Sequence, residues 1–319
     1  MIKRRKEVEI MKTCDIFKQK RVFSFEIFPP KRTSPIETIY STLDSLQDLK
    51  PDFISVTYGA GGSENSAKTL QIAGDIKHKY GIESVAHLPC VNLSKDDVLK
   101  LLDEMKSCGI ENILALRGDV NPDFPPKNDF LHASDLIAFI KEHGDFDVMG
   151  ACYPEGHTEA KSKEDDLRNL KTKVDAGASH LISQLFFDNE LFYDFEERAR
   201  KIGINVPIEA GIMPVTNRKQ IERMVTLCGA SLPKKFLRIM ERYEDKPEAM
   251  RDAGIAYAVD QIVDLVAQGV DGIHLYTMNN PVVAKRICDD YCKYPETYGD
   301  DGFEEMLDPH CATCPLDAL

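Results

Sequence analysis

No stretch of this 319-residue chain approaches the ~18 consecutive apolar residues of a membrane-crossing helix, so a helical membrane protein is not expected. Its first residues, Met-Ile-Lys-Arg-Arg-Lys, carry charge with no apolar segment behind them, which is not the pattern of a secretory leader. The cytoplasm is the expected compartment. Positive charge is also short: 40 Lys and Arg stand against 53 Asp and Glu, a net −13. That balance argues against a grip on nucleic-acid phosphates. Neither a Gly-x-Gly-x-x-Gly turn nor a Walker loop is present, so the two commonest nucleotide-phosphate cradles are missing. Low-complexity sequence is lacking between residues 21 and 280.

What is there suffices for a large core, since 43% of residues are hydrophobic. The nine cysteines, an odd number, read as mostly reduced, buried small hydrophobes. Short apolar or β-branched runs alternate with longer amphipathic stretches, the pattern of a parallel sheet. Eight runs stand out, at 22–26, 53–57, 84–87, 113–116, 147–151, 180–184, 207–211 and 272–276. Helices between them are announced by Ser34 before Pro35, Ser94, Ser134-Asp135 and Asn217, and the last before the eighth run covers 255–268. Gly109, Gly177, Gly203 and Gly269 punctuate helix ends before strands. Eight such units fit a closed (β/α)8 TIM barrel, one domain over 21–292. Residues 1–20 read as an N-terminal extension with a helix packed on the barrel floor, and 293–319 as an irregular tail.

In such barrels chemistry gathers where strands end at the C-terminal rim. Polar residues close nearly every apolar run: Glu26, Thr57, His87, Arg117 with Asp119, Tyr153 with His157, Gln184 and Tyr276. Aromatic and proline neighbours in Phe23-Ser24-Phe25-Glu26-Ile27-Phe28-Pro29-Pro30 would desolvate Glu26 and raise its pKa towards general-acid duty; an ordinary paired carboxylate is the alternative. Arg117 and Asp119 flank Gly118, either as a structural salt bridge or as an anion-holding guanidinium beside a charge-setting carboxylate. Asp166, Asn169 and Lys173 share one helical face, on their own merits a solvated one. His87 and His157 lack the spacing of metal ligands.

Six motifs in order, Phe25-Glu26-Ile27-Phe28-Pro29-Pro30, Ser55-Val56-Thr57-Tyr58-Gly59-Ala60, Ala115-Leu116-Arg117-Gly118-Asp119, Lys173-Val174-Asp175-Ala176-Gly177-Ala178, Gln184-Leu185-Phe186-Phe187-Asp188 and Tyr276-Thr277-Met278-Asn279, resemble the methylenetetrahydrofolate reductase family over roughly 20–290. The resemblance implies a flavin-dependent barrel that reduces 5,10-methylenetetrahydrofolate to 5-methyltetrahydrofolate. FAD is the implied cofactor, with electrons from NADH, NADPH or a partner carrier. It also gives the rim residues roles. Glu26 matches the family's general acid, Asp119 the aspartate near flavin and pterin, and Gln184 a substrate contact, with Tyr276 beside them on the substrate side. Thr57, His87, Arg117, Gly118, Asp119, Ala133, Tyr153, His157, Asp166, Asn169 and Lys173 match flavin-contacting positions. Relatives of this kind are commonly homo-oligomers. A pterin-binding methyltransferase barrel, or a folate-binding scaffold, would share the acidity and fold but needs no flavin.

Two departures bear on the electron donor: Met224 stands where some members carry an aromatic residue, and His132 where some have Tyr. Cys288, Cys292, Cys311 and Cys314, with His310, supply enough soft ligands for one structural zinc if the tail folds back; incidental thiols on an untethered tail are the alternative, and no metal is expected in the barrel itself.

Overall fold

Eight parallel strands close on one another in the computed structural model, which describes residues 11–30, 34–58, 63–120 and 125–291. They are β1 (Val22–Ile27), β2 (Phe53–Val56), β3 (Glu83–Pro89), β4 (Asn112–Leu116), β5 (Asp147–Cys152), β6 (Leu181–Ser183), β7 (Ile208–Ile212) and β8 (Gly272–Tyr276). Each pairs with its neighbours in sequence, and a register running from Val22↔Gly272 to Glu26↔Tyr276 joins last to first. The expected eight-unit barrel is what forms.

Alternation along each strand explains why. In β1, Phe23, Phe25 and Ile27 belong to the outer core, with Ile54, Val56, Ile113, Val148, Ile273 and Leu275 from other strands, and pack beneath the helices. Val22 takes the opposite face and meets Phe53, Val85, Leu114, Met149 and Ile182 as an apolar layer inside the barrel. Ser24 and Glu26 continue that inward row towards the rim.

Eleven helices are described: α1 (Thr13–Ile16), α2 (Glu37–Leu46), α3 (Ser63–Asp75), α4 (Lys95–Ser107), α5 (Ala133–His143), α6 (Lys163–Asp175), α7 (Asn189–Lys201), α8 (Arg218–Cys228), α9 (Lys234–Tyr243), α10 (Pro247–Ala267) and α11 (Pro281–Tyr291). Ser94 and Asp97 form a reciprocal capping box on α4, and the Asn217 side chain accepts from the Gln220 amide on α8. Ser34 caps nothing, because α2 begins at Glu37 behind Ile36 without a side-chain cap. At α5 the Asp135 carboxylate, inside the first turn, accepts from the amides of Leu131 and His132 at 2.9 Å each, and the N-cap is His132, two residues before Ser134. The helix expected over 255–268 starts at Pro247, whose fixed φ suits a first turn. It crosses the end of β7 so closely that a Cβ on Gly254 would stand 1.7 Å from the Val215 carbonyl oxygen.

Residues 11–20 close the barrel floor. The Thr13 hydroxyl and the Cys14 amide both donate to Asp147 Oδ2 at 2.8 Å, and the Thr13 amide donates to Asn112 Oδ1 at 3.0 Å. Ile16 joins the lowest apolar layer, while the Phe17 ring lies 4.8 Å from the buried His180 ring. The expected floor helix is a single four-residue turn here; residues 1–10 lie outside the described residues. Burial pushes His180 down to about 4, against the pull of Asp147. Asp147 is itself held below the usual carboxylate range: burial works to raise it, but His180, the Ser179 hydroxyl, the Cys14 amide and the Thr13 hydroxyl outweigh that. With His180 neutral at pH 7, the hydroxyl and amide donors carry that stabilisation.

Two stability outcomes are expected. Gly254→Ala should cost about 3 kcal/mol, the upper range for overpacking because backbone is what the new methyl meets, read as a lower urea midpoint. For His180, the unfolded chain takes up a proton from about pH 6.5 downward whereas the folded chain resists until about 4. Wild-type stability therefore falls across that window. His180→Gln should remove roughly 3 kcal/mol of that slope in denaturation run at stepped pH; an unaltered slope would show that His180 is not its source.

Candidate active site

At the C-terminal mouth the inward row of β1 ends in Glu26. Its Oε2 lies 3.5 Å from Nε2 of His87 on β3 and 3.7 Å from Nε2 of His274 on β8. Both of those ring nitrogens are buried and make no hydrogen bond within the protein. The aromatic neighbours expected to surround Glu26 lie elsewhere: Phe25 and Ile27 point outward by alternation, so the carboxyl group meets imidazoles instead. Burial drives His87 down to about 4 although Glu26 pulls the other way. The nearer imidazole is thus uncharged at pH 7.

Tyr276 flanks this group, its hydroxyl donating to the Ser183 carbonyl at 2.7 Å. Burial first, and the charge of Glu26 next, hold its phenol well above the usual range. Gly211 is required there, since a Cβ would come within 2.3 Å of the Ser183 oxygen and 2.8 Å of the Tyr276 hydroxyl. The Thr277 hydroxyl donates to the Glu26 carbonyl at 2.7 Å, and the Asn279 side chain clasps the backbone of Phe28, accepting from its amide at 3.0 Å and donating to its oxygen at 2.8 Å. The Tyr-Thr-Met-Asn motif therefore anchors the end of the strand that carries Glu26. Gln184 follows β6; its amide donates to the Cys152 carbonyl at 2.7 Å and its side-chain oxygen accepts from the Leu185 amide at 2.9 Å.

A second group lines the adjoining rim. Gly118 has φ +84°, and a Cβ there would lie 2.8 Å from the Pro89 Cβ, so only glycine lets the β4 loop pass. Arg117 does not pair with Asp119: its two terminal nitrogens reach Glu159 at 2.5 and 3.0 Å, a bidentate pair, while Asp119 is exposed. Tyr153 meets the His157 ring edge-on at 4.7 Å, and the His157 amide donates to Asp166 Oδ2 at 3.2 Å. Lys173 Nζ donates to the Ala151 carbonyl at 2.8 Å and lies 5.5 Å from the Tyr153 ring centre. Burial raises Asp166 and Tyr153, the latter to about 12, and lowers Lys173.

The helical face that reads as solvated is therefore turned into the site at Asp166 and Lys173, and exposed only at Asn169. Thr57 is half-buried after β2, its carbonyl accepting from the Thr69 hydroxyl at 3.0 Å, and Ala133 is buried at the start of α5. A groove between α3 and α4, around Leu70, Gly74, His78 and Cys108, lies outside the barrel and shares no residue with the rim. Among the described residues no three His, Cys, Asp or Glu side chains are grouped to hold a metal ion. Cys288 is buried in α11, whereas Cys292, His310, Cys311 and Cys314 lie outside the described residues.

Sequence reasoning passed over Ser24, Glu209 and His274, which lie just below the rim. Ser24 Oγ is 2.7 Å from Glu209 Oε1 and 2.6 Å from His274 Nδ1. The available signal was alternation: each stands two residues before Glu26, Gly211 or Tyr276, on the same inward face.

The methylenetetrahydrofolate reductase family model matches residues 10–291. A 5,10-methylenetetrahydrofolate reductase of Pectobacterium carotovorum subsp. carotovorum is 40% identical over 265 residues, covering 83% of this chain and 88% of that one. The protein of the same name in Escherichia coli (strain K12) is 38% identical with the same coverage. Methylenetetrahydrofolate reductase (NADH) 1 of Arabidopsis thaliana is 37% identical over 277 residues, 81% of this chain but 46% of its own length. Among solved structures, an uncharacterized protein from Clostridium thermocellum that binds two copies of 5-methyl-5,6,7,8-tetrahydrofolic acid matches with a TM-score of 0.61, at 15% identity and over 86% of this chain and 96% of that one. That last likeness is one of fold. Kinship that runs through every strand of the barrel makes this chain a member of the methylenetetrahydrofolate reductase family, and so an oxidoreductase.

Proposed function

We propose that the chain reduces 5,10-methylenetetrahydrofolate to 5-methyltetrahydrofolate with FAD as resident cofactor and Glu26 as general acid. The observation that carries the reading is the placement of one carboxyl group at the centre of the barrel mouth, between two imidazoles whose facing nitrogens lack protein partners. The rim fits a flavin dinucleotide. His87 Nε2 is a buried polar atom with no partner, Arg117 and Lys173 bring positive charge, and Gly118 keeps the β4 loop backbone close. Thr57, His87, Arg117, Gly118, Asp119, Ala133, Tyr153, His157, Asp166, Asn169 and Lys173 are the residues that would hold it. When bound, FAD supplies reducing equivalents drawn from NADH, NADPH or a partner carrier; the Arabidopsis relative is named for NADH.

The chain's own part begins with folate. In the five-membered ring the methylene carbon bridges two nitrogens, and breaking its bond to N10 leaves a 5-iminium cation that can be reduced to the methyl group. Glu26 Oε2 delivers the proton that N10 takes up as that bond breaks. Gln184 and Tyr276 line the folate side, while Asp119 at the rim supplies negative charge that favours the cation. Tyr276, its hydroxyl committed to Ser183, acts as a wall and not as a proton donor. The overall acidity and the absence of a described helix able to cross a membrane accord with a cytoplasmic enzyme.

Purified protein should be yellow, and its reduced flavin should be reoxidised by methylenetetrahydrofolate. Glu26→Gln should keep flavin and its reduction by donor but slow the folate half-reaction by roughly 10²- to 10⁴-fold in anaerobic stopped flow; undiminished folate turnover removes Glu26 from the mechanism. Arg117→Ala should weaken FAD binding at least about tenfold, the loss of a charge-assisted hydrogen bond, in a flavin-fluorescence titration. Unchanged affinity would mean that Arg117 serves Glu159 alone.

A further inference from the structure

We propose that Ser24, His274 and Glu209 form a proton line behind Glu26, with Glu209 as its buried terminus; this rests on Glu26 being the acid. The line is continuous in space. Glu209 Oε1 is 2.7 Å from Ser24 Oγ, Ser24 Oγ is 2.6 Å from His274 Nδ1, and His274 Nε2 is 3.7 Å from Glu26 Oε2. That last gap closes to a hydrogen bond with a shift of about half an ångström.

Ser24 has one hydroxyl proton for two partners, and this couples the ends. When Glu209 is protonated it donates to Ser24, Ser24 donates to Nδ1, and the imidazole proton sits on Nε2, facing Glu26. When Glu209 is ionised, Ser24 donates to it, Nδ1 carries the imidazole proton and donates to Ser24, and Nε2 turns a lone pair to Glu26. Passing from the first state to the second moves one proton from Glu209 to Glu26. Ser24 and His274 end with as many protons as they began, and only the tautomer changes. While substrate covers the mouth, the line can supply Glu26 with the proton that folate then takes. Glu26, 18% exposed, lets the line run back when the mouth meets solvent again.

The surroundings suit that role. Burial raises Glu209 to about 7, opposed by His274 and Ser24 and assisted by the charge of Asp52. Asp52 is engaged by Lys20 at 2.6 Å and by the Phe23 amide at 2.8 Å, and the imidazoles of His180 and His87 both lie in the field of His274. At the far end His87 and Tyr276 face Glu26. Glu209 is wholly buried, yet its Oε2 has no protein partner, which a carboxyl group kept only for structure would be expected to find. Glu209 is a positioning residue that acts through His274.

The test uses FAD-loaded protein. Glu209→Gln preserves shape and an acceptor for Ser24 but holds no proton to release, and Ser24→Ala cuts the line while leaving both carboxyl groups. Each should slow reoxidation of reduced flavin by methylenetetrahydrofolate about tenfold and flatten its pH dependence around neutrality, with flavin reduction by donor unchanged. Nitrogen-15 spectra should show the His274 tautomer of the wild type changing between about pH 6 and 8, and a single tautomer in Glu209→Gln. If Glu209→Gln does not fold, Ser24→Ala and the wild-type spectra decide. Wild-type pH profiles in the variants, with a His274 tautomer indifferent to pH, would overturn the line while a dead Glu26→Gln leaves the proposed function standing. Full folate turnover by Glu26→Gln would remove the function reading and the line together.

Discussion

Closure of the barrel is the constraint on which everything else here depends. A closed parallel sheet has two buried faces, and period-two alternation deals the residues of each strand between them. The outward set in β1, Phe23, Phe25 and Ile27, buries against helices, and Tyr291 of α11 stacks on Phe23 at 5.3 Å. The inward set, Val22, Ser24 and Glu26, climbs from an apolar layer to a polar one to the carboxyl group at the mouth within two repeats of the pleat. Placement of the candidate site is thus a consequence of strand register, and the β1–β8 pairing sets Glu26 opposite Tyr276.

Polarity is graded along the barrel axis. The floor is polar: Asp147 and Asn112 are met by Thr13 and Cys14 from residues 13–14, while His180 Nε2 there has no protein partner. Above it lies a dry layer of Val22, Phe53, Val85, Leu114, Met149 and Ile182. Above that, Ser24, Glu209, His87 and His274 are buried but leave His87 Nε2, His274 Nε2 and Glu209 Oε2 without protein partners. Unmet hydrogen-bonding capacity buried in a barrel is costly where it serves only the fold, and three such atoms gather in this one layer below the mouth. The floor and the dry layer supply the rigidity against which that cost is borne.

Much of this was readable in the chain. Strand positions came through to within a residue or two because each is a short apolar run, several of them behind a helix-ending glycine, and the rim residues because polar side chains interrupt those runs. The Ser94 and Asn217 caps are local chemistry and form as read. The cap assigned to Ser34 failed because a residue type permits capping without compelling it, and the start of α10 was misplaced because Pro247 was not read as a first-turn residue. The surroundings of Glu26 were misread for a different reason. Neighbours in sequence alternate faces on a strand, so Phe25 and Ile27 are the residues least able to touch it.

Periodicity, turn glycines and the ordered motifs determined by themselves an eight-unit parallel barrel, its polar C-terminal rim and its family, because these depend on spacing and residue type within a few positions. Only the tertiary structure decided who meets whom. Arg117 turns to Glu159, 42 residues on, and away from Asp119; Ser24 finds Glu209 across 185 residues and His274 across 250. The two Ser24 contacts are set when the last strands close on the first, and no local pattern encodes any of the three.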